Sequence, residues 1–162
     1  MSDIATLPYR PCAGVMLLSR TGQVFVGQRL DSTLEAWQMP QGGIDPGEDP
    51  LEAAYRELWE ETGVVRAHVE LVAAPDEELQ YDLPDDLIGK VWKGKWRGQR
   101  QRWFLFRLNA GDEVIDIETA EPEFRAWRWI DPAELPDVIV PFKRDLYARL
   151  LEIFADHLPR AR

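Results

Sequence analysis

Residues 42–64 read GGIDPGEDPLEAAYRELWEETGV, and this stretch leaves little local freedom. Asp49 is a good N-cap, Pro50 suits the first helical position, and Glu52 stands where a capping-box acid would. Gly63 has the place of a C′ residue. Together they predict a helix from Pro50 to Thr62. Leu51, Ala54 and Leu58 then fall at i, i+3 and i+7, a core-facing stripe. Glu57, Glu60 and Glu61 fall at i, i+3 and i+4, so their carboxylates share another face. The glycine loop ahead of the helix, Gly42 to Gly47, permits positive φ and close approach to a bulky charged ligand. A tight strand-to-helix connection would use the same residues.

The acids are badly placed for stability alone. Glu52, Arg56 and Glu60 could form an i,i+4 ladder, at roughly 0.2–0.5 kcal/mol per pair. Against that, three like charges share one face, and Glu60 and Glu61 lie in the last turn, where the helix dipole disfavours anions. Two charges about 4 Å apart repel by roughly 1 kcal/mol in water and about 4 kcal/mol at an effective dielectric of 20. A bound divalent cation reverses the sign of this effect. Hard oxygen ligands without Cys or His point to Mg²⁺ or Mn²⁺.

The skeleton Gly42, Glu48, Arg56-Glu57-Leu58, Glu60-Glu61, Gly63-Val64 resembles the Nudix box, the signature of hydrolases that cut a nucleoside diphosphate linkage. The resemblance implies an α/β fold, an α/β/α sandwich with a mixed β-sheet, in one domain over residues 1–162. It implies that Arg56 orients the acidic ligands, that Glu57, Glu60 and Glu61 bind metal, and that Glu48 lies near the site. A wider likeness, from Tyr9 to Phe154, is to bacterial RNA pyrophosphohydrolases and the related dinucleoside polyphosphate hydrolases. It is carried by Tyr9-Arg10-Pro11, Trp37-Gln38-Met39-Pro40-Gln41-Gly42-Gly43, Gly98-Gln99-Arg100-Gln101-Arg102-Trp103-Phe104, Pro122-Glu123-Phe124, Trp127-Arg128-Trp129 and Phe142-Lys143-Arg144-Asp145.

That likeness implies a nucleotide or RNA 5′-polyphosphate end as substrate, with a dinucleoside polyphosphate as the alternative. Glu123 and Gly42 join the metal-binding set. Glu57 is the first choice for general base and Glu123 the second. Arg29 and Phe142 resemble a pair that sandwiches a base, although Phe142 could instead be a staple into the core. Tyr81 could stack on a second base or pack the core. Arg10, Gln41, Arg102 and Lys143 look like phosphate contacts. A catalytically silent binding module would need a decayed box, and every box acid is present.

A net charge of −10 argues against coating a long phosphate backbone. Lys90, Lys93, Lys95, Arg97, Arg100 and Arg102 form a local basic segment that suits a short anionic substrate or the end of a long one. The single cysteine, Cys12, excludes an intrachain disulfide and fits a reducing compartment. With no apparent signal segment or membrane span, a cytoplasmic location is expected. Strands are expected at Arg10–Leu18, Gln23–Gln28, Trp37–Pro40, Ala67–Ala73, Glu77–Tyr81, Gln101–Leu108 and Ala126–Ile130, with a second helix over Phe142–His157. The acidic stretch Asp112 to Glu123 could be a loop or an interface. His68 and His157 suggest no role.

Overall fold

The computed structural model describes residues 7–30, 35–84, 87 and 95–159. Its centre is a seven-stranded sheet. β1 (Tyr9–Leu18) and β6 (Gly98–Leu108) run parallel side by side along their whole length. β2 (Val24–Arg29) pairs antiparallel with β1 and with β7 (Phe124–Ile130). The outer edge of β6 is shared by β4 (Val69–Ala73) and β5 (Glu78–Asp82), both antiparallel to it. β3 (Gln41–Gly43) pairs with Cys12–Gly14 of β1, so the near end of β1 has β3 as its neighbour where the far end has β2.

Helices cover both faces. Helix α1 (Pro50–Thr62) buries Ala53, Ala54 and Leu58 against Val15, Leu17, Phe25, Phe104 and Phe106. On the other face, α2 (Leu135–Val138) and α3 (Arg144–Ile153) bring Leu135, Leu146, Tyr147 and Leu150 onto Met16, Val26, Trp103 and Leu105. Because both faces are covered, β1 reads as a nearly unbroken apolar run rather than an alternating one. The α/β/α sandwich with a mixed sheet is the architecture expected.

Several local expectations change. The strand expected over Trp37–Pro40 is displaced to β3, because Pro40 has no N–H to give; Gln38 makes only an isolated bridge with Gly27. β6 begins at Gly98, ahead of Gln101, because β1 and β5 both pair with its first residues. The helix expected over Phe142–His157 is α3 flanked by 3₁₀ turns at Pro141–Lys143 and Ala155–His157, and α2 was not expected. Gly63 caps α1 with φ 73° and its N–H on the Trp59 carbonyl. Asp49 accepts from Leu51 and Glu52 N–H, but the Glu52 carboxylate turns away to Arg66, so the capping box is half made. Asp112 to Glu123 opens with a 3₁₀ turn, Asp112–Val114, and contains no strand. Among the described residues no helix is long and apolar enough to cross a membrane.

Candidate active site

Arg56 organises the acid cluster. Its Nε and Nη2 donate to the two oxygens of Glu48, each at 2.9 Å, a bidentate fork. Nη1 donates to Glu57 Oε1 at 2.9 Å and to Glu60 Oε2 at 3.1 Å, and Nη2 also reaches the Gly43 carbonyl at 2.8 Å. One guanidinium therefore ties the helix face to the glycine loop. It is not the ladder of Glu52, Arg56 and Glu60, since Glu52 pairs with Arg66 instead. The fork holds the Glu48 carboxyl down at about 2.

Glu57 and Glu61 meet the opposite environment. Both are buried, Glu61 at 3% exposure. Burial pushes the Glu57 carboxyl up to about 7, with Arg56 opposing and Glu60 and Glu123 adding repulsion. Burial, then Glu57 and Glu123, drives Glu61 well above the carboxylate range. Glu61 Oε2 is buried with no hydrogen-bond partner. A Cβ on Gly42 would overlap the Glu57 carboxylate, so the glycine is what lets that acid lie against the loop.

An orphaned buried carboxylate oxygen, raised acidic groups and an all-oxygen donor set fit a hard divalent cation. Among the described residues no three acids already surround a common point, because Arg56 holds Glu57 and Glu60 to itself.

These acids form one end of a cleft of about 660 Å³. Its lining includes Gly42, Glu57, Glu60, Glu61 and Glu123, with Arg29 and Gln41 beside these acids, and also Arg10 and the cluster of Tyr81, Phe142 and Lys143. Arg29 Nη2 stands 3.8 Å from Glu123 Oε2, joining the two groups. Phe142 is 39% exposed, so it presents a face to the cleft rather than stapling the core. Its ring lies 5.9 Å from that of Tyr81, and Lys143 Nζ lies 5.3 Å from the Tyr81 centroid. Burial, then Arg29, pulls the Lys143 amine down to about 8. Gln41 Oε1 and Tyr81 Oη are buried without a partner.

Against known families, residues 8–150 match the NUDIX domain. The chain belongs to the Nudix family. It is 62% identical, over 95% of its length and 98% of the relative's, to a protein of Sphingopyxis alaskensis named RNA pyrophosphohydrolase. It is 57% identical to one of the same name from Roseobacter denitrificans, over 96% and 98% of the two chains. Among solved structures, a C. elegans Ap4A hydrolase in a binary complex superposes with a TM-score of 0.66 at 22% identity, covering 91% of this chain and 98% of that one. The E. coli dihydroneopterin triphosphate pyrophosphohydrolase gives 0.67 at 20% identity, over 90% and 99%. These two support the Nudix fold.

One expected contact is not in the Nudix cleft. Arg102 sits on the face of β6 opposite Gln101; its Nη2 donates to the Pro75 carbonyl at 3.2 Å and stands 3.8 Å from Asp76. Within the basic segment Lys95 is exposed and two of the arginines are engaged by neighbouring acids. Arg97 pairs with Asp82 at 3.3 Å and Arg100 with Glu78 at 2.7 Å, both acids of β5, while Lys90 and Lys93 lie outside the described residues. Conversely, Gln38 and Gln99 line the cleft and were given no role from sequence. Gln99 carried a legible signal: it shares strand parity with Gln101 and Trp103.

Proposed function

We propose that this Nudix hydrolase is an RNA pyrophosphohydrolase, converting a 5′-triphosphate RNA end to a 5′-monophosphate with release of diphosphate. The observation that carries the reading is the two-ended cleft, with raised carboxylates at one end and Lys143 beside the exposed ring of Phe142 at the other. The near-full-length relatives of that name support it. We assign Mg²⁺ as the ion, with Mn²⁺ able to substitute, held by Glu57, Glu60, Glu61, Glu123 and Gly42. Bound there, the cation supplies Lewis-acid neutralisation of the polyphosphate oxygens.

The chain's own residues do the rest. Arg10, Gln41 and Lys143 hold the polyphosphate, and Arg29 with Phe142 clamps a base, a sequence-tolerant contact of about 1–3 kcal/mol for the aromatic face. Tyr81 adds a second ring. Glu57, kept near neutrality by burial, takes the proton from the attacking water; Glu123 is the alternative base. Arg56 fixes the direction of the Glu57 carboxylate. The reaction is assigned to one domain in the cytoplasm, and the charge of −10 suits an enzyme that takes the end of an RNA rather than its length.

A second substrate is a dinucleoside polyphosphate, because Tyr81 and Phe142 offer two neighbouring rings. The test is a competition in Mg²⁺ between a short 5′-triphosphorylated RNA and diadenosine tetraphosphate, with Glu57→Gln as control. Faster loss of diphosphate from the RNA supports the first reading. An advantage of an order of magnitude for the dinucleotide replaces it with the second. Binding without turnover of either would leave a silent module.

A further inference from the structure

β6 carries a line of buried polar groups that the acid chemistry does not use. Gln99, Gln101 and Trp103 alternate along the strand and so share one face, and none is more than 2% exposed. Trp103 Nε1–H donates to Gln101 Oε1 at 2.7 Å, and Gln101 Nε2 donates to Gln99 Oε1 at 2.6 Å. An indole nitrogen only donates. It therefore sets which end of the Gln101 amide faces it, and Gln101 in turn sets Gln99. The Gln99 carbonyl is turned back along the strand, which leaves its NH₂ outside the ladder on a residue lining the cleft. The room for this comes from Gly14, the cross-strand partner of Trp103, where a Cβ would overlap the indole. Tyr147 braces the same indole edge-on at 6.1 Å.

The neighbours of Gln99 suggest what its NH₂ meets. Its partner on β1 is Arg10 and its partner on β5 is Tyr81, and both line the cleft. Cross-strand partners share a face, so Arg10, Gln99 and Tyr81 form a row across three strands. Lys143 Nζ lies over the Tyr81 ring. A ligand oxygen reaching this row is bracketed by cations, which favours an anionic acceptor. A neutral amide adds a hydrogen bond there without adding to the repulsion among Arg10, Arg29 and Lys143.

We infer that Gln99 is a substrate-positioning residue whose amide N–H, held in polarity by Trp103 through Gln101, donates to an oxygen of the polyphosphate chain beside Arg10. This deepens the proposed function and rests on it. The experiment compares kcat and KM of wild type, Gln99→Leu, Trp103→Phe and the double variant on a triphosphorylated RNA and on a dinucleoside polyphosphate, with melting temperatures alongside. Gln99→Leu raises KM about tenfold on both substrates with little change in kcat, as expected for a lost charge-assisted bond. Trp103→Phe raises KM about threefold by releasing the amide polarity. The double variant is no worse in KM than Gln99→Leu alone, because both substitutions break one chain.

An unchanged KM in Gln99→Leu overturns the inference. So do a Trp103→Phe effect confined to melting temperature, additive effects in the double variant, or a KM change that follows base identity. Calorimetric binding of inorganic tripolyphosphate to wild type and Gln99→Leu reads the same contact without turnover. About tenfold weaker binding in the variant supports the inference even if wild type cut neither substrate, an outcome that would remove only the functional reading. Equal binding overturns the inference.

Discussion

The two ends of the cleft carry opposite charge and the same kind of strain. At the acid end, burial pushes Glu57 up to about 7, and Glu57 and Glu123 help drive Glu61 higher still. At the basic end, burial and Arg29 pull Lys143 down to about 8. Each end gathers like charges in a partly dry place, and the Arg29–Glu123 contact at 3.8 Å joins them. The stable counterexample is Glu48, where a complete fork from Arg56 holds the carboxyl at about 2. Glu48 is satisfied at both oxygens, whereas Glu61 takes a backbone N–H from Gln41 and keeps its other buried oxygen without a partner. A cation relieves one end and a polyphosphate the other, and a ligand carrying both relieves the whole cleft.

If the ends divide the labour, variants at the acid end act on kcat and those at the basic end on KM. The largest effect is expected from Glu57→Gln: a loss of roughly a thousandfold in kcat, measured under saturating substrate. The same change stabilises the metal-free protein at neutral pH by on the order of 2 kcal/mol, because it removes a carboxylate whose ionisation the fold resists. Gly42→Ala comes next. Its Cβ would displace the Glu57 carboxylate, and a shift of that size lowers kcat about a hundredfold. Arg56→Lys keeps the charge but loses the fork, lowering kcat about tenfold and weakening metal affinity in a titration.

Lys143 gives a pH test at the other end. Its folded pKa lies below the unfolded value of 10.5, so the penalty of burying the charge is fully present below about pH 8 and fades above it. Binding a polyphosphate needs the charged form. KM is therefore expected to rise severalfold above about pH 8, and Lys143→Gln to be weaker at low pH with that limb flattened. A KM independent of pH in wild type would break the comparison. The smallest effect is expected from Arg66→Ala, which breaks the exposed pair with Glu52 and should leave kcat and KM unchanged.

The same division explains what could be read from sequence. The acid end lies on one helix and the loop before it, so spacing alone put Glu57, Glu60 and Glu61 on one face and Gly63 at the cap. The basic end is assembled from β1, β2, β5, β6 and the turn before α3, and no local period joins Arg10, Arg29, Tyr81 and Lys143. Those positions came from family likeness, which also brought in Arg102. Strand parity could have questioned that residue: Gln101 and Arg102 are neighbours in one strand and must point to opposite faces. Parity could also have found Gln99, but not the direction of its amide, which depends on an indole two positions further along. The half-made capping box has a similar origin, since Arg66 lies beyond the helix and captures Glu52 only in the folded chain.

The most direct measurement is the melting temperature of the metal-free protein from pH 5 to 8, with and without excess Mg²⁺, in wild type and Glu57→Gln. A carboxyl raised from 4.5 to about 7 costs nothing below about pH 4.5 and its full amount above about pH 7. The wild-type melting temperature should therefore fall relative to the variant across that window, and the Mg²⁺-induced rise should grow over the same range and shrink in Glu57→Gln. Identical pH profiles for the two proteins, with no response to Mg²⁺ in either, would contradict an acid end held in strain for a cation.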